Sequence, residues 1–185
     1  NVMQTENNNS QKTSNQEARW YAVRTFHNKS SVVRRIAESE NVEYYTPMRE
    51  VDIVVDGKPH IERQCIMPSL LFLRATPEWI ARLKALTDDN LIPYCEPGTS
   101  KPQAIADSEM ELFRFVARTS ASTIECIDPS ILHPNDRVRI TGGVFQGYEG
   151  YIRRVHGTKR FVIAIEGIAA IATTFIPKKY IEKLA

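Results

Sequence analysis

Aromatic and β-branched residues alternate with amphipathic stretches along the first two thirds of the chain, a pattern that predicts strands and helices in turn. Strand-like composition recurs in five segments: residues 20–26, 44–55, 60–67, 69–74 and 91–95. Helical spacing of apolar residues recurs in three segments: residues 29–39, 76–86 and 107–118. Because this order is β-α-β-β-β-α-β-α, we expect a mixed sheet with helices packed against it.

Local signals mark where several of these elements begin or turn. Asn28 or Ser30 is expected to cap the first helix, since short polar side chains accept hydrogen bonds from the first turn. Thr76, which is followed by proline, marks the start of the second helix. Asp56-Gly57 separates two extended segments and therefore predicts a tight hairpin turn.

The remaining third of the chain has a different pattern. Residues 119–134 are rich in Ser and Thr, carry two prolines and show no sustained period, so they are interpreted as a linker. Beyond them, four glycines lie among short β-branched runs at positions 142, 143, 147 and 150, which is typical of small, sharply curved β-structure. Residues 161–165 and 173–176 are strand-prone, and Gly167 would interrupt a helix.

These patterns divide the chain into a polar tail (1–18), an α/β domain (19–118), a linker (119–134) and a small β-domain (135–185). The tail is rich in Asn, Gln, Ser and Thr, so we expect it to be disordered rather than a signal peptide. Since the linker has little apolar content, we also expect the two domains to be loosely coupled.

The distribution of charge along the chain also differs between the two predicted domains. The whole chain of 185 residues carries a net charge of only +2. From residue 134 onward, however, nine Lys and Arg residues stand against four Asp and Glu, a net charge of +5 that leaves −3 for the remainder. A basic module beside an acidic one suits contact with nucleic acid or with an acidic protein surface, although an ordinary solvated surface explains the same charges.

Several classes of function lack support in the sequence. There is no phosphate-binding loop, nucleophile elbow or paired catalytic carboxylate, so we do not expect an enzyme or a bound cofactor. The three cysteines are far apart and odd in number, which argues against a disulfide framework and a metal site and favours a reduced, cytoplasmic protein. No apolar run reaches the roughly 20 residues that a membrane span requires, so we expect no membrane contact. We also expect a monomer.

Particular motifs resemble those of a known family. The glycine-rich stretch at 142–150, Gly-Gly-Val-Phe-Gln-Gly-Tyr-Glu-Gly, resembles the KOW motif. Trp20-Tyr21 at the start of a strand, Thr46-Pro47-Met48 before the hairpin, and the apolar segment 67–73 occur in the same order as in the NusG family. The resemblance implies an α+β protein: an NGN-like α/β sandwich with an antiparallel sheet, followed by an SH3-like KOW β-barrel.

One segment departs from the general family pattern. Where the general factor usually has Phe-Pro-Gly-Tyr, this chain has Met67, Pro68, Ser69 and Leu70. The departure is similar to that of specialised paralogues, such as RfaH or the UpxY antiterminators of capsular polysaccharide operons. The resemblance therefore implies a bacterial, operon-specific antitermination factor.

The resemblance also implies a partner for the first domain. In the family, this domain docks an apolar patch onto the clamp helices of the RNA polymerase β′ subunit and suppresses pausing. The residues that match the patch are Trp20, Tyr21, Met67, Pro68, Leu70, Phe72 and Tyr94. Simple core packing is the competing interpretation for Trp20 and Phe72, because side chains alternate between the two faces of a strand.

Further contacts are implied at the first helix and at the glycine-rich turn. The residues that match a contact with the non-template DNA strand are Phe26, His27, Lys29, Arg34 and Arg35. A solvated helix face is the alternative for them. Phe145 matches the KOW position that meets the ribosomal protein NusE or the termination factor Rho, with core packing as the alternative.

A second function remains open from the sequence. The chain could be an RNA-binding or ribosome-associated KOW protein that does not act on polymerase. The apolar set around Leu70 favours polymerase, because an RNA-binding surface would place more Arg and Lys beside its aromatic residues.

Overall fold

The structure is a computed structural model that describes residues 17–184, so nearly all of the predicted tail (1–18) lies outside the described residues. The helices are α1 (Ser30–Ser39), α2 (Pro77–Leu86) and α3 (Asp107–Thr119). The first six strands are β1 (Arg19–Thr25), β2 (Glu43–Tyr45), β3 (Met48–Val55), β4 (Lys58–Cys65), β5 (Leu70–Ala75) and β6 (Leu91–Pro93). The last six are β7 (Glu125–Ile127), β8 (Arg137–Ile140), β9 (Glu149–Val155), β10 (Thr158–Ile165), β11 (Ala169–Phe175) and β12 (Ile181–Lys183).

The amino-terminal unit, β1 to α3, is built on a four-stranded sheet in the order β2-β5-β1-β6. Every pairing in this sheet is antiparallel, which confirms the antiparallel sheet that the resemblance implied. The mixed sheet expected from the order of elements is wrong. The extended segment 44–55 also proves to be two strands, β2 and β3, which separate at Thr46 and Pro47. Proline has no N–H to donate to a strand ladder, which explains the break.

The two faces of this sheet bury separate cores. Ala22 and Phe72 are register partners and belong to the core on the α3 side. Val23 and Leu71, the next pair along, belong to the core under α1 and α2. The strict alternation of β1 and β5 therefore places helices on both faces, and the unit is an α/β sandwich.

The helix-start signals are confirmed for α2 and wrong for α1. The Thr76 hydroxyl accepts a hydrogen bond from the backbone N–H of Trp79 at 3.2 Å. At α1 the N-cap residue is Lys29, and neither expected side chain caps the helix. The Ser30 hydroxyl instead donates to the carbonyl oxygen of Pro68 at 2.6 Å. Ser30 thus fastens the helix to the segment before β5, a tertiary contact that local sequence does not reveal.

The β3–β4 hairpin is confirmed, with its turn at Asp56 and Gly57, where φ is 51° and 75°. It forms a separate two-stranded sheet. At its base, the backbone N–H of Glu50 donates to the carbonyl oxygen of Ala121 at 2.8 Å. This bond ties the hairpin to the chain that leaves α3.

The carboxy-terminal unit, β7 to β12, is a six-stranded antiparallel sheet in the order β12-β8-β9-β10-β11-β7. Residues 161–165 and 173–175 lie in β10 and β11, which confirms the strands predicted there. Strand β7 comes from the segment interpreted as a linker and pairs with β11. An ion pair of Glu125 with Arg160, at 3.1 Å, helps to hold it there.

The two units share one hydrophobic core, so the expectation of loose coupling is wrong. Phe115 of α3 packs edge-on against Phe145 and Tyr148, with ring centroids 6.3 Å and 5.6 Å apart. The core on the α3 side continues without a break into Phe161 and Ile163 of β10. Helix α3 is therefore apolar toward both units and joins them.

Close packing leaves no room for a side chain at Gly150. A Cβ there would overlap the carbonyl oxygen of Val162 and lie 2.6 Å from the Phe161 ring. We expect Gly150→Ala to lower the free energy of unfolding by about 1–3 kcal/mol, as overpacking does. Urea denaturation measures this change. The exposed Val144 serves as the control, and equal unfolding midpoints for Gly150→Ala and Val144→Ala would contradict the prediction.

Candidate functional site

A cavity of about 580 Å³, called here the central cavity, lies where the two units meet. Met67, Leu70 and Tyr94 line it from the amino-terminal unit. Residues 126–129 and 167–169 line it from the carboxy-terminal unit. The cavity thus separates the apolar set predicted to bind polymerase from the turn between β10 and β11.

Backbone hydrogen bonds hold the three apolar side chains in place. The N–H of Leu70 donates to the carbonyl oxygen of Met67 at 3.0 Å, which forms a turn at the start of β5. The N–H of Tyr94 donates to the carbonyl oxygen of Ala22 at 2.9 Å, just beyond β6. Leu70 belongs to β5 and Ala22 to β1, the two central strands of the sheet, so these hydrogen bonds hold the set on a rigid part of the sheet.

The structure divides the seven residues of the predicted polymerase patch. Met67 and Leu70 are each 7% exposed, and Tyr94 is half-buried beside them. Pro68 is exposed, whereas Trp20 and Phe72 lie deeper in the core on the same side. Tyr21 packs in the opposite core, under α1 and α2, because it alternates with Trp20 along β1. Tyr21 therefore lies on the opposite face of the sheet from the other buried residues of the predicted patch.

An aromatic cluster supports this face from beneath α3. Phe72 lies 5.6 Å from Phe113 and 6.1 Å from Tyr45, measured between ring centroids. The Arg114 guanidinium lies over the Trp20 and Tyr45 rings, at 5.7 Å and 5.2 Å. Burial raises the pKa of the Tyr45 hydroxyl to about 12, although the nearby Arg114 charge opposes that shift.

The raised pKa of Tyr45 predicts a loss of stability in alkali. The contribution of neutral Tyr45 is complete below its ordinary pKa of about 10 and is lost as the pH rises toward 12. Over that window we expect the free energy of unfolding of the wild type to fall more steeply than that of Tyr45→Phe, by up to roughly 1.4 kcal/mol per pH unit. Urea unfolding over this range measures the difference, and parallel curves would contradict it.

The residues predicted to meet DNA are only partly brought together. His27 and Arg34 line one groove of about 480 Å³ at the start of α1. Lys29 reaches Asp88, 3.9 Å away, and Arg35 is exposed outside that groove. Phe26, with about a third of its surface exposed, lies beneath the guanidinium of Arg24 at 5.6 Å.

Phe145, the predicted KOW contact, is buried. It is 1% exposed and packs against Phe115 and Phe161. Its burial agrees with core packing, the alternative interpretation given for Phe145 above.

Sequence reasoning missed three residues that shape these surfaces. Phe115 joins the two units, and Ile168 lines the central cavity. Arg24 stacks on Phe26 and also lines that cavity. For Arg24 a signal existed, since it is a charged residue directly after the apolar run of residues 20–23 in β1. Phe115 and Ile168 look like ordinary core residues in sequence.

Two further findings concern the described residues, 17–184. Within them no three His, Cys, Asp or Glu residues cluster so as to hold a metal ion. None of their helices combines the length and the apolar character needed to cross a bilayer.

Comparisons with known proteins point to one family. The family model NusG, described as transcription termination factor nusG, matches residues 18–114, just over half of the chain. The search of curated proteins gave no match. Among solved structures, a crystal structure of the MjSpt4:Spt5 complex in conformation B is similar at 16% identity, covering 90% of this chain and 97% of that one. The TM-score of this match is 0.25.

Proposed function

Since this chain belongs to the NusG family of transcription factors, we propose that it is an elongation and antitermination factor that binds the clamp helices of the RNA polymerase β′ subunit. Its amino-terminal unit corresponds to the NGN domain and its carboxy-terminal unit to the KOW domain. In this proposal it acts in the cytoplasm as a monomer and lowers pausing or termination at particular operons.

One observation carries the proposal. Met67, Leu70 and Tyr94 form a contiguous apolar set at the rim of the amino-terminal sheet, beside the exposed Pro68. Large apolar side chains grouped on a rigid surface are suited to receive one face of a helix. Arg24 is the one cation among the described residues that line the central cavity with them, which favours a protein partner over RNA.

The carboxy-terminal unit covers this set in the structure. Ile168 and Ala169 line the central cavity opposite Met67 and Leu70, and all four are buried. Binding to the clamp helices in this proposal therefore requires the two units to separate first. The measured affinity of the full chain would then be lowered by the small fraction of open molecules.

The same separation would release Phe145. Its ring packs on Phe115 of α3 in the closed arrangement, so an open molecule would expose a new apolar edge on the carboxy-terminal unit. We propose this edge as the contact for NusE or Rho. One rearrangement would thus make both partner surfaces available together.

The groove that contains His27 and Arg34 is our proposed contact for the displaced non-template DNA strand. Its other lining residues include Asn28, whose side-chain amide can donate to a phosphate or sugar oxygen. The neighbouring Phe26 ring can stack on a base. The groove opens at the α1 start and shares Ser69 with the lining of the central cavity. Pro68 of the proposed clamp-binding surface also lines the groove, so the two partners would meet at Pro68 and Ser69.

Removing charge from the start of α1, where Arg34 lines this groove and Lys29 and Arg35 lie outside its lining, should change how binding to the non-template strand responds to salt. Each phosphate neutralised on a single strand steepens the dependence of log affinity on log salt by about 0.7. We expect Lys29→Ala, Arg34→Ala and Arg35→Ala together to lower that slope by roughly 1 to 2, since two or three of them would reach phosphates. Factor recruitment to elongation complexes with an exposed non-template strand, measured over a salt series, tests this.

The same triple variant supplies its own control. On complexes without an exposed non-template strand its recruitment should match that of the wild type, because the clamp contact is apolar. A wild-type slope on the exposed strand would mean that these residues form only a solvated helix face.

Recovery of partners from cells tests the proposed function as a whole. We expect the tagged full chain to co-purify with RNA polymerase and to shorten pauses in transcription by the purified enzyme. Recovery with ribosomes or RNA but without polymerase would favour the alternative, a KOW protein that does not act on polymerase. Sequencing of the bound transcripts would then identify the operons served.

A further inference from the structure

A second large groove lies on the carboxy-terminal unit, away from the central cavity. Its volume is about 630 Å³, and we call it the outer groove. Lys159 at the start of β10 and Phe175 at the end of β11 both line it, whereas Gly167, between these two strands, lines the central cavity. No described residue lines both spaces, so the outer groove remains accessible while the two units are closed.

The floor of the outer groove is aliphatic. It consists of Val138 of β8, Ile152 of β9, Ile176 just after β11, and Ile181 of β12. Ile152 and Ile181 are only half-buried, so part of this floor is open to solvent. Beside the floor stands Phe175, which is 55% exposed. Contiguous apolar surface of this kind typically marks a binding site.

The rim of the outer groove is strongly basic. Four Lys and Arg side chains on it are exposed and form no ion pair with any residue between 17 and 184: Arg154, Lys159, Lys178 and Lys183. Asp136 is the one carboxylate among the described lining residues. Four positive charges therefore remain available around one aliphatic floor.

A fifth cation of the lining, Arg153, is only weakly engaged. Its Nη1 donates to Oδ2 of Asp136 at 3.4 Å, which is longer than most hydrogen bonds. Its Nε is buried and has no acceptor among residues 17–184. Because buried donors normally have a partner, this guanidinium has capacity left for a second carboxylate.

We propose that the outer groove binds an acidic peptide segment of a partner protein, one that also carries Leu, Ile or Val side chains. The apolar side chains of the segment would cover the floor and the Phe175 ring, and its flanking Asp and Glu would pair with the rim. The amino-terminal tail of the chain itself does not have this chemistry. Its residues 1–16 carry one Glu, one Lys and only two apolar side chains.

The floor favours a peptide over a nucleic acid. Single strands are bound by successive aromatic rings, on which the bases stack. Phe175 is the one aromatic residue among the described lining residues of the outer groove, and the four floor side chains offer no flat face to a base. Aliphatic side chains are suited instead to the apolar anchors of a protein segment.

The position of the outer groove makes it a separate attachment point. Phe145, proposed to meet NusE or Rho, does not line it, and neither do Met67, Leu70 and Tyr94. The acidic segment could therefore bind both to the closed molecule and to the open one. This inference goes beyond the proposed function and does not depend on it.

Fluorescence anisotropy with the full chain tests the proposal. The probe is a labelled peptide of about twelve residues, in which Asp-Glu pairs alternate with single Leu residues. We expect saturable binding with a Kd on the order of 10 μM. A peptide with Ser in place of each Leu keeps the charge but cannot cover the floor, so it should bind at least about tenfold more weakly.

Variants of the chain separate the groove from net charge. Lys159→Gln with Lys183→Gln should weaken peptide binding about fivefold at low salt and far less at about 1 M salt, where screening is strong. Lys58 and Lys84 are exposed and lie outside the outer groove, so their joint replacement by Gln should leave the affinity within about twofold of wild type. Phe175→Ser should weaken binding about tenfold at every salt concentration, because it removes an apolar contact.

Several outcomes would overturn the proposal. Equal losses from the two lysine pairs would mean that binding follows net charge alone. A Ser-substituted peptide that binds as tightly as the Leu peptide would mean that the floor is not used. Absence of saturable binding below about 1 mM peptide would leave no site for an acidic segment. If single-stranded RNA bound more tightly than the peptide and lost affinity in the Lys159 and Lys183 variant, the groove would be a nucleic-acid site instead.

Discussion

Ile168→Asp is expected to raise the affinity of the full chain for the isolated clamp helices by about tenfold or more. Ile168 is buried at the central cavity, where a carboxylate would be desolvated without a partner and would favour separation of the units. If the closed state is more stable than the open state by a few kcal/mol, few wild-type molecules can bind the clamp helices. A variant that shifts the equilibrium toward the open state then binds them with higher apparent affinity. Titration of the clamp helices, followed by calorimetry, measures the gain.

The mechanism behind that gain can be checked separately. NMR relaxation should show one correlation time for the wild type and two for Ile168→Asp, since separated units tumble on their own. Val144→Asp adds the same charge at an exposed position of the same unit and should leave both measurements unchanged. An unchanged clamp affinity in a variant shown to be open would mean that the central cavity does not cover the polymerase-binding surface.

Leu70→Asp should have the opposite effect once the units are apart. In the Ile168→Asp background we expect it to weaken clamp binding by about 2 kcal/mol or more, roughly thirtyfold, as loss of a central apolar anchor does. The open background matters because Leu70 is itself buried at the cavity, so in the wild type its replacement would open the molecule as well as remove the anchor.

An exposed isoleucine of the same sheet supplies the comparison. Ile92 of β6 is 51% exposed and does not line the central cavity, so Ile92→Asp in the open background should bind the clamp helices normally. Circular dichroism of both variants confirms that the sheet is intact. Equal affinities for the two would place the polymerase contact elsewhere.

Most elements of the fold were predictable because they depend on short-range patterns. The apolar runs of β1 and β5, the Thr76 cap and the Asp56-Gly57 turn are each encoded within a few residues. Strand β7 was not predictable in this way. Its partner is β11, more than forty residues later, and nothing in its own Ser- and Thr-rich surroundings indicates that pairing.

The sequence indicated which residues lie together in the candidate site, but not that the carboxy-terminal unit covers them. The sequence and its resemblance grouped Met67, Leu70 and Tyr94 in one region, and the structure brings them together because β5 and β6 both pair with β1. That the carboxy-terminal unit covers them depends on Phe115, which in sequence is one apolar residue of an amphipathic helix. Whether such a residue packs within its own unit or against another is a tertiary question that periodicity does not decide.

Strand β7 determines how far the carboxy-terminal unit could travel. With β7 still paired to β11, only residues 120–124 join the two units, a tether that spans at most roughly 20 Å. If β7 leaves the sheet, residues 120–136 become the tether and the limit rises to roughly 60 Å. The pairing of one short strand thus decides which of two distances the released unit could reach from the amino-terminal unit.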